Sequence, residues 1–126
     1  MNKIKFEDIP FQPLQITTGW LVEYNEFRDI EPYSDIEVEG LPDNDVWELF
    51  LQNLLFLKHE FYGISLDLGW TPEAEPEGSY KLTVLKNGDW DNPLLYFKSK
   101  NKDEIVEKIN LWLRKVTFQL DEVKSS

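Results

Sequence analysis

Between Tyr62 and Trp70 the chain alternates without a break. Tyr62, Ile64, Leu66, Leu68 and Trp70 hold the even positions, and Gly63, Ser65, Asp67 and Gly69 lie between them. Side chains on a strand project with a period of two, so this pattern predicts a strand with one buried face. After a loop over Thr71–Gly78, Tyr80, Leu82 and Val84 resume the even positions against Lys81 and Thr83. Asn87-Gly88 supplies residues that tolerate positive φ in a tight turn, and Leu94–Lys98 reads as a third strand. An antiparallel meander with one apolar face is not stable uncovered.

Two segments with helical spacing are the candidate covers. Trp47, Phe50, Leu51, Leu54, Lys58 and Phe61 recur at intervals of three and four, widened by Leu55, Phe56 and Leu57. This predicts a helix starting after Asp43–Asp45, whose carboxylates suit a helix N-terminus, and ending at Gly63. A second start signal stands at Asn101-Lys102-Asp103-Glu104, followed by a stripe of Ile105, Ile109, Trp112, Val116 and Leu120. Fraying is expected over residues 121–126. Upstream, Pro10 and Pro13 predict an irregular segment up to residue 14, and Trp20, Val22 and Tyr24 a strand over Gly19–Phe27. Ile36 and Val38 alternate with acids and allow a short edge strand.

The expected fold is therefore α+β and one domain over residues 1–126. A short antiparallel sheet of about four strands carries two helices on one face, in the order strand, helix, three strands, helix. The last five elements resemble the plan of the double-stranded-RNA-binding fold. That family's phosphate-gripping basic clusters have no counterpart at Asn101–Glu104 or Thr71–Gly78, so the likeness implies nothing about function.

Composition narrows the classes. A chain of 126 residues, 41% hydrophobic and 14% aromatic, can bury a core without staples. The absence of cysteine removes disulfides, thiolate metal sites and thiol nucleophiles, and fits a reducing, cytoplasmic setting. No apolar leader or membrane-length run is present. The net charge of −11 is unevenly placed: residues 29–80 hold thirteen acids and one lysine, Lys58, for a net −12, which leaves +1 for the rest. Such a field opposes nucleic acid and anionic lipid and favours a basic protein partner.

Motifs for catalysis are sparse. His59 is the only histidine, flanked by Lys58 and Glu60, and is expected to be exposed or locally bonded rather than a general base. No serine lies in a nucleophile elbow; Ser65 and Asp67 fall on the polar face of a predicted strand. Asp43-Asn44-Asp45 and Asp89-Trp90-Asp91-Asn92 resemble fragments of cation loops, but without the Gly and bidentate Glu of a calcium loop they read as a helix cap and a hairpin turn. Glu122-Val123-Lys124 has nuclease-like spacing at a helix end, where a nuclease would not place it. No metal, cofactor or catalytic residue is assigned. Trp70 and Trp90 fall at strand ends or loops beside acids. They are either exposed anchors inside an acidic rim, the anatomy of a protein-binding hot spot, or lids over the core.

The motifs Gly19-Trp20-Leu21-Val22-Glu23-Tyr24-Asn25, Gly69-Trp70 and Gly88-Asp89-Trp90, with the small acidic layout, resemble immunity proteins of bacterial polymorphic toxin systems. The resemblance implies a stoichiometric inhibitor, not an enzyme, whose acidic surface occludes a basic toxin domain such as a nuclease. The candidate partner-binding residues are Glu31, Asp35, Glu37, Glu39, Asp67, Trp70, Glu73, Glu75, Glu77 and Trp90. A monomer or weak homodimer is expected. The alternatives are a small-ligand or hydrolytic domain using carboxylates near Asp67 and His59, and a structural or oligomerising module.

Overall fold

A computed structural model describes residues 2–118 of the chain. In chain order the strands are β1 (Asn2–Lys5), β2 (Trp20–Asn25), β3 (Ile36–Glu39), β4 (Leu55–His59), β5 (Ile64–Thr71), β6 (Ser79–Lys86) and β7 (Leu95–Ser99), followed by helix α1 (Lys102–Phe118). The meander forms as its alternation predicts. Strand β5 pairs antiparallel with β6 from Ile64↔Lys86 to Thr71↔Ser79, and β6 pairs with β7. Even-numbered Leu66, Leu68, Trp70, Tyr80, Leu82 and Val84 turn to one side and are buried. There they meet Ile105, Ile109, Trp112, Leu113 and Val116 of α1. The helix starts where expected: the Asn101 side-chain oxygen accepts from the Glu104 amide at 3.2 Å. Leu120 and the fraying expected over residues 121–126 lie outside the described residues.

The first predicted helix does not form. The Asp45 carboxylate accepts from the Trp47 amide at 3.0 Å, but it caps only one 3-10 turn over Val46–Leu49. At Phe50 the backbone leaves helical geometry (φ −94°, ψ 80°). The chain then runs beside β5: the Leu51 carbonyl accepts from the Trp70 amide and the Leu54 amide donates to the Leu68 carbonyl, both at 2.8 Å. Leu55–His59 completes the run as a strand between β2 and β5. An apolar stretch such as Leu54-Leu55-Phe56-Leu57 fits a wide helical arc and a central strand equally well. In this position the strand has backbone partners on both sides, which a helix could not give its neighbours. The result is a five-stranded antiparallel sheet, β2-β4-β5-β6-β7, with one α-helix instead of two among the described residues. The helix–three strands–helix plan therefore lapses.

The N-terminal expectation needs a second correction. Residues 2–5 are a strand, paired parallel to β3 in a separate two-stranded ribbon and held by a Lys3–Glu39 ion pair at 3.4 Å. The anticipated edge strand near Ile36 and Val38 exists because β1 pairs with it. The proline-containing segment that follows is irregular, and polar contacts strap it along α1. The Gln15 backbone amide donates to the Asn110 side-chain oxygen at 2.9 Å, and the Thr17 hydroxyl donates to the Leu113 carbonyl at 2.9 Å. At the helix start Lys102, 4% exposed, donates to Gln12 and, at 2.7 Å, to Asp29. Glu31 lies 3.6 Å from the same ammonium. A buried ammonium at the positive end of a helix is costly alone, and these acceptors offset that cost.

Candidate interaction surface

Six aromatic rings run in one continuous line through the end of the molecule that carries the acidic loops. Phe27 meets Tyr80 (centroids 5.9 Å apart), Tyr80 meets Trp70 (5.0 Å), Trp70 meets Phe50 and Trp47 (5.0 and 5.6 Å), and Trp47 meets Tyr33 (5.1 Å). The line starts in the core and ends in solvent, with Tyr33 52% exposed. Tyr33 also has left-handed backbone geometry (φ 64°), uncommon for a bulky residue. Its hydroxyl donates to the Pro76 carbonyl at 2.6 Å, which joins the loop before β3 to the loop between β5 and β6. A second tie comes from Glu73, whose carboxylate accepts from the Gln52 amide at 3.0 Å.

These ties bring part of the predicted acidic set together around Tyr33. Glu31 and Asp35 flank it in sequence, and Glu73, Glu75 and Glu77 lie in the loop it bonds to. Exposed Glu48 adjoins its ring partner Trp47. The carboxylates are not equally free. Glu31 shares Lys102, Glu39 pairs with Lys3, and Glu73 holds a backbone amide. Asp35, Glu48, Glu75 and Glu77 make no ion pair among the described residues. Glu37 and Glu39 lie on the ribbon strand β3.

Three residues of the predicted set are not part of this exposed surface. Trp70 is fully buried and its indole N–H donates to the Glu75 carbonyl at 2.8 Å, so it is a core residue beneath the loop and not an exposed anchor. The alternation that placed it on the apolar face of β5 already carried that answer. Trp90 is 60% exposed, but it lies in the β6–β7 turn at the opposite end of the sheet. The eight residues of β6 separate that turn from the Glu73–Glu77 loop by roughly 25 Å at about 3.3 Å per residue. The two tryptophans therefore do not form one hot spot. Asp67 stands on the sheet face opposite α1, opposed in register by Phe56 and Thr83.

His59 is buried, not exposed. Its Nδ1 accepts from the Phe61 amide at 3.3 Å, and its ring stacks on Tyr62 at 4.6 Å and meets the edge of Trp20. Gly19, at φ +94°, lets the backbone pass against the imidazole, where a Cβ would collide with the ring. Burial lowers the His59 pKa, and a hydrogen bond to the Thr18 backbone and the charge of Glu60 partly oppose this. His59 pairs with Trp20, both side chains being on the core side, whereas Asp67 points to the other face. The sheet thus separates the two groups that a hydrolytic site would have to join.

The two aspartate motifs resolve into local structure, and Glu122-Val123-Lys124 lies outside the described residues. Asp45 caps its 3-10 turn, and Asp89 accepts from the Asp91 amide at 3.1 Å and from Asn92 at 3.3 Å within the hairpin turn. Among the described residues no group of three or more His, Asp or Glu side chains is placed to hold a metal ion. No helix among them is long and apolar enough to cross a membrane. Sequence reasoning passed over Tyr33, although a tyrosine between Pro32 and Ser34 in an otherwise polar loop was a usable signal. Comparisons with protein-family models, curated proteins and solved structures returned no match.

Proposed function

We propose that this chain is a stoichiometric binding protein that captures a basic protein through the acidic loops around Tyr33. In this reading it is an immunity protein that occludes a toxin domain. The observation that supports it is the joining of the loops at residues 29–35 and 72–77 by the Tyr33–Pro76 bond, over a rigid aromatic line. An exposed, preorganised tyrosine costs little entropy to bind, and unpaired carboxylates around it steer a cationic partner and reject anionic ones. Nothing in this role needs a reacting group.

The test is co-expression with the product of the adjacent upstream reading frame, followed by stopped-flow association of the purified pair across a salt series. Growth is protected by the native chain, and association slows steeply as salt rises. Glu75→Gln with Glu77→Gln slows association about 3–10-fold at low salt and leaves stability unchanged, because neither side chain holds a structural bond. Asp103→Asn with Glu107→Gln on α1 is the control. Equal slowing by both pairs reduces the effect to total charge, and no slowing by either refutes the acidic-loop reading.

A further inference from the structure

The face of the sheet opposite α1 bears a row of side chains across all five strands: Tyr24, Phe56, Asp67, Thr83 and Tyr96, set side by side by the strand register. At one end of the row a concavity of about 300 Å³ is lined by Tyr24, Asn53, Leu55, Phe56 and Asp67. That is the low end of the size range of small-ligand pockets. Its wall depends on Gly69. A Cβ there would collide with the Gln52 carbonyl, so glycine lets the Gln52-Asn53 backbone lie against β5 and bring Asn53 to the rim beside Asp67.

Asp67 is the only ionisable carboxylate in this lining, and it accepts no hydrogen bond and makes no ion pair among the described residues. Lys58 on β4 and Lys81 on β6 are its diagonal neighbours in register, about 7–8 Å away between backbones, and neither ammonium forms an ion pair with it. Two aromatic residues share the lining on one side of the carboxylate, Phe56 on the adjacent strand and Tyr24 on the strand beyond. Desolvation raises the Asp67 pKa, with no opposing cation to lower it. A metal ion would want several oxygen ligands, which this lining does not offer. A carboxylate, a side-chain amide and two aromatic residues are the groups that recognise a flat organic cation.

We infer that this pocket binds a guanidinium group, with Asp67 as the anionic acceptor, Asn53 as a second acceptor, and Tyr24 and Phe56 supplying ring contacts. The source is either an arginine side chain of a protein partner or a free small guanidine. The site does not depend on the Tyr33 surface, so either proposal can fail alone.

The experiment is an amide-detected NMR titration of the full chain with three probes: the peptide Gly-Arg-Gly, agmatine, and Gly-citrulline-Gly as a neutral counterpart. The cationic probes should give saturable shifts centred on Phe56 and Asp67 with millimolar affinity, and the citrulline peptide should give none. Tighter binding of the peptide assigns the pocket to a partner's side chain and tighter binding of agmatine to a free small cation; either supports the site. Asp67→Asn, which keeps the side chain's shape, should weaken binding at least about tenfold, and Phe56→Leu about threefold. Glu75→Gln with Glu77→Gln should leave it unchanged. The inference is overturned by no saturable shift with either cation, by equal binding of the citrulline peptide, or by undiminished binding in folded Asp67→Asn.

Discussion

Asp67 and Trp70 stand three residues apart on β5, and the sheet treats their polar atoms in opposite ways. The Trp70 indole is fully buried among Trp47, Phe50 and Tyr80, and its N–H has a carbonyl partner at 2.8 Å. The Asp67 carboxylate is half-buried on the other face and has no partner among the described residues. A satisfied buried group fixes structure, whereas a partly desolvated carboxylate without a protein partner stays free to take one from water or a ligand. The Tyr33 end is tied by groups of the first kind at Trp70, Tyr33 and Glu73, while the neighbouring Ser34 hydroxyl is buried without a partner among the described residues. The open sheet face keeps a group of the second kind.

The widest test of this contrast is Trp70→Ala. It empties the middle of the aromatic line and frees the Glu75 carbonyl, and should cost about 3–5 kcal/mol in chemical denaturation. A denaturation midpoint close to that of the native chain would mean the line is not the support of the loops.

Acid titration tests another buried group on the core side. The folded-state pKa of His59 lies below its ordinary 6.5. As pH falls below 6.5 the unfolded chain takes up the proton first, so the contribution of His59 to stability is complete above 6.5. It declines as pH drops toward the folded value. Denaturation midpoints followed over this window should fall in the native chain and fall less in His59→Gln. Parallel slopes would show that the imidazole is not held neutral.

The smallest effect has the opposite sign. The folded-state pKa of Asp67 is raised above 3.8, so its ionisation opposes folding at neutral pH. Asp67→Asn should raise the melting temperature at neutral pH. That gain should shrink as pH falls from the raised value toward 3.8 and be gone below it. A loss of stability in Asp67→Asn at neutral pH would mean that the carboxylate has a structural partner, and would erase the contrast with Trp70.

What the sequence determined by itself was the part built on strict alternation and on unambiguous caps. The even positions of β5 and β6 and the Asn101 cap with its stripe on α1 each have a single low-energy reading, because side-chain period and backbone hydrogen bonding agree there. The charge imbalance of residues 29–80 was equally plain. Tertiary structure decided the rest. Leu54-Leu55-Phe56-Leu57 satisfies two periods at once, and only the free edges of β2 and β5 select the strand. Residues 2–5 are a strand only because β3 lies beside them, a pairing across more than thirty residues that no local pattern encodes. The same holds for the candidate sites. The acids were visible, but their grouping around Tyr33 depends on a bond to Pro76 across the loops. The pocket at Asp67 depends on Gly69 admitting the Gln52 backbone. Contacts between segments distant in the chain are fixed by packing and by backbone pairing, and those act only once the chain has closed on itself.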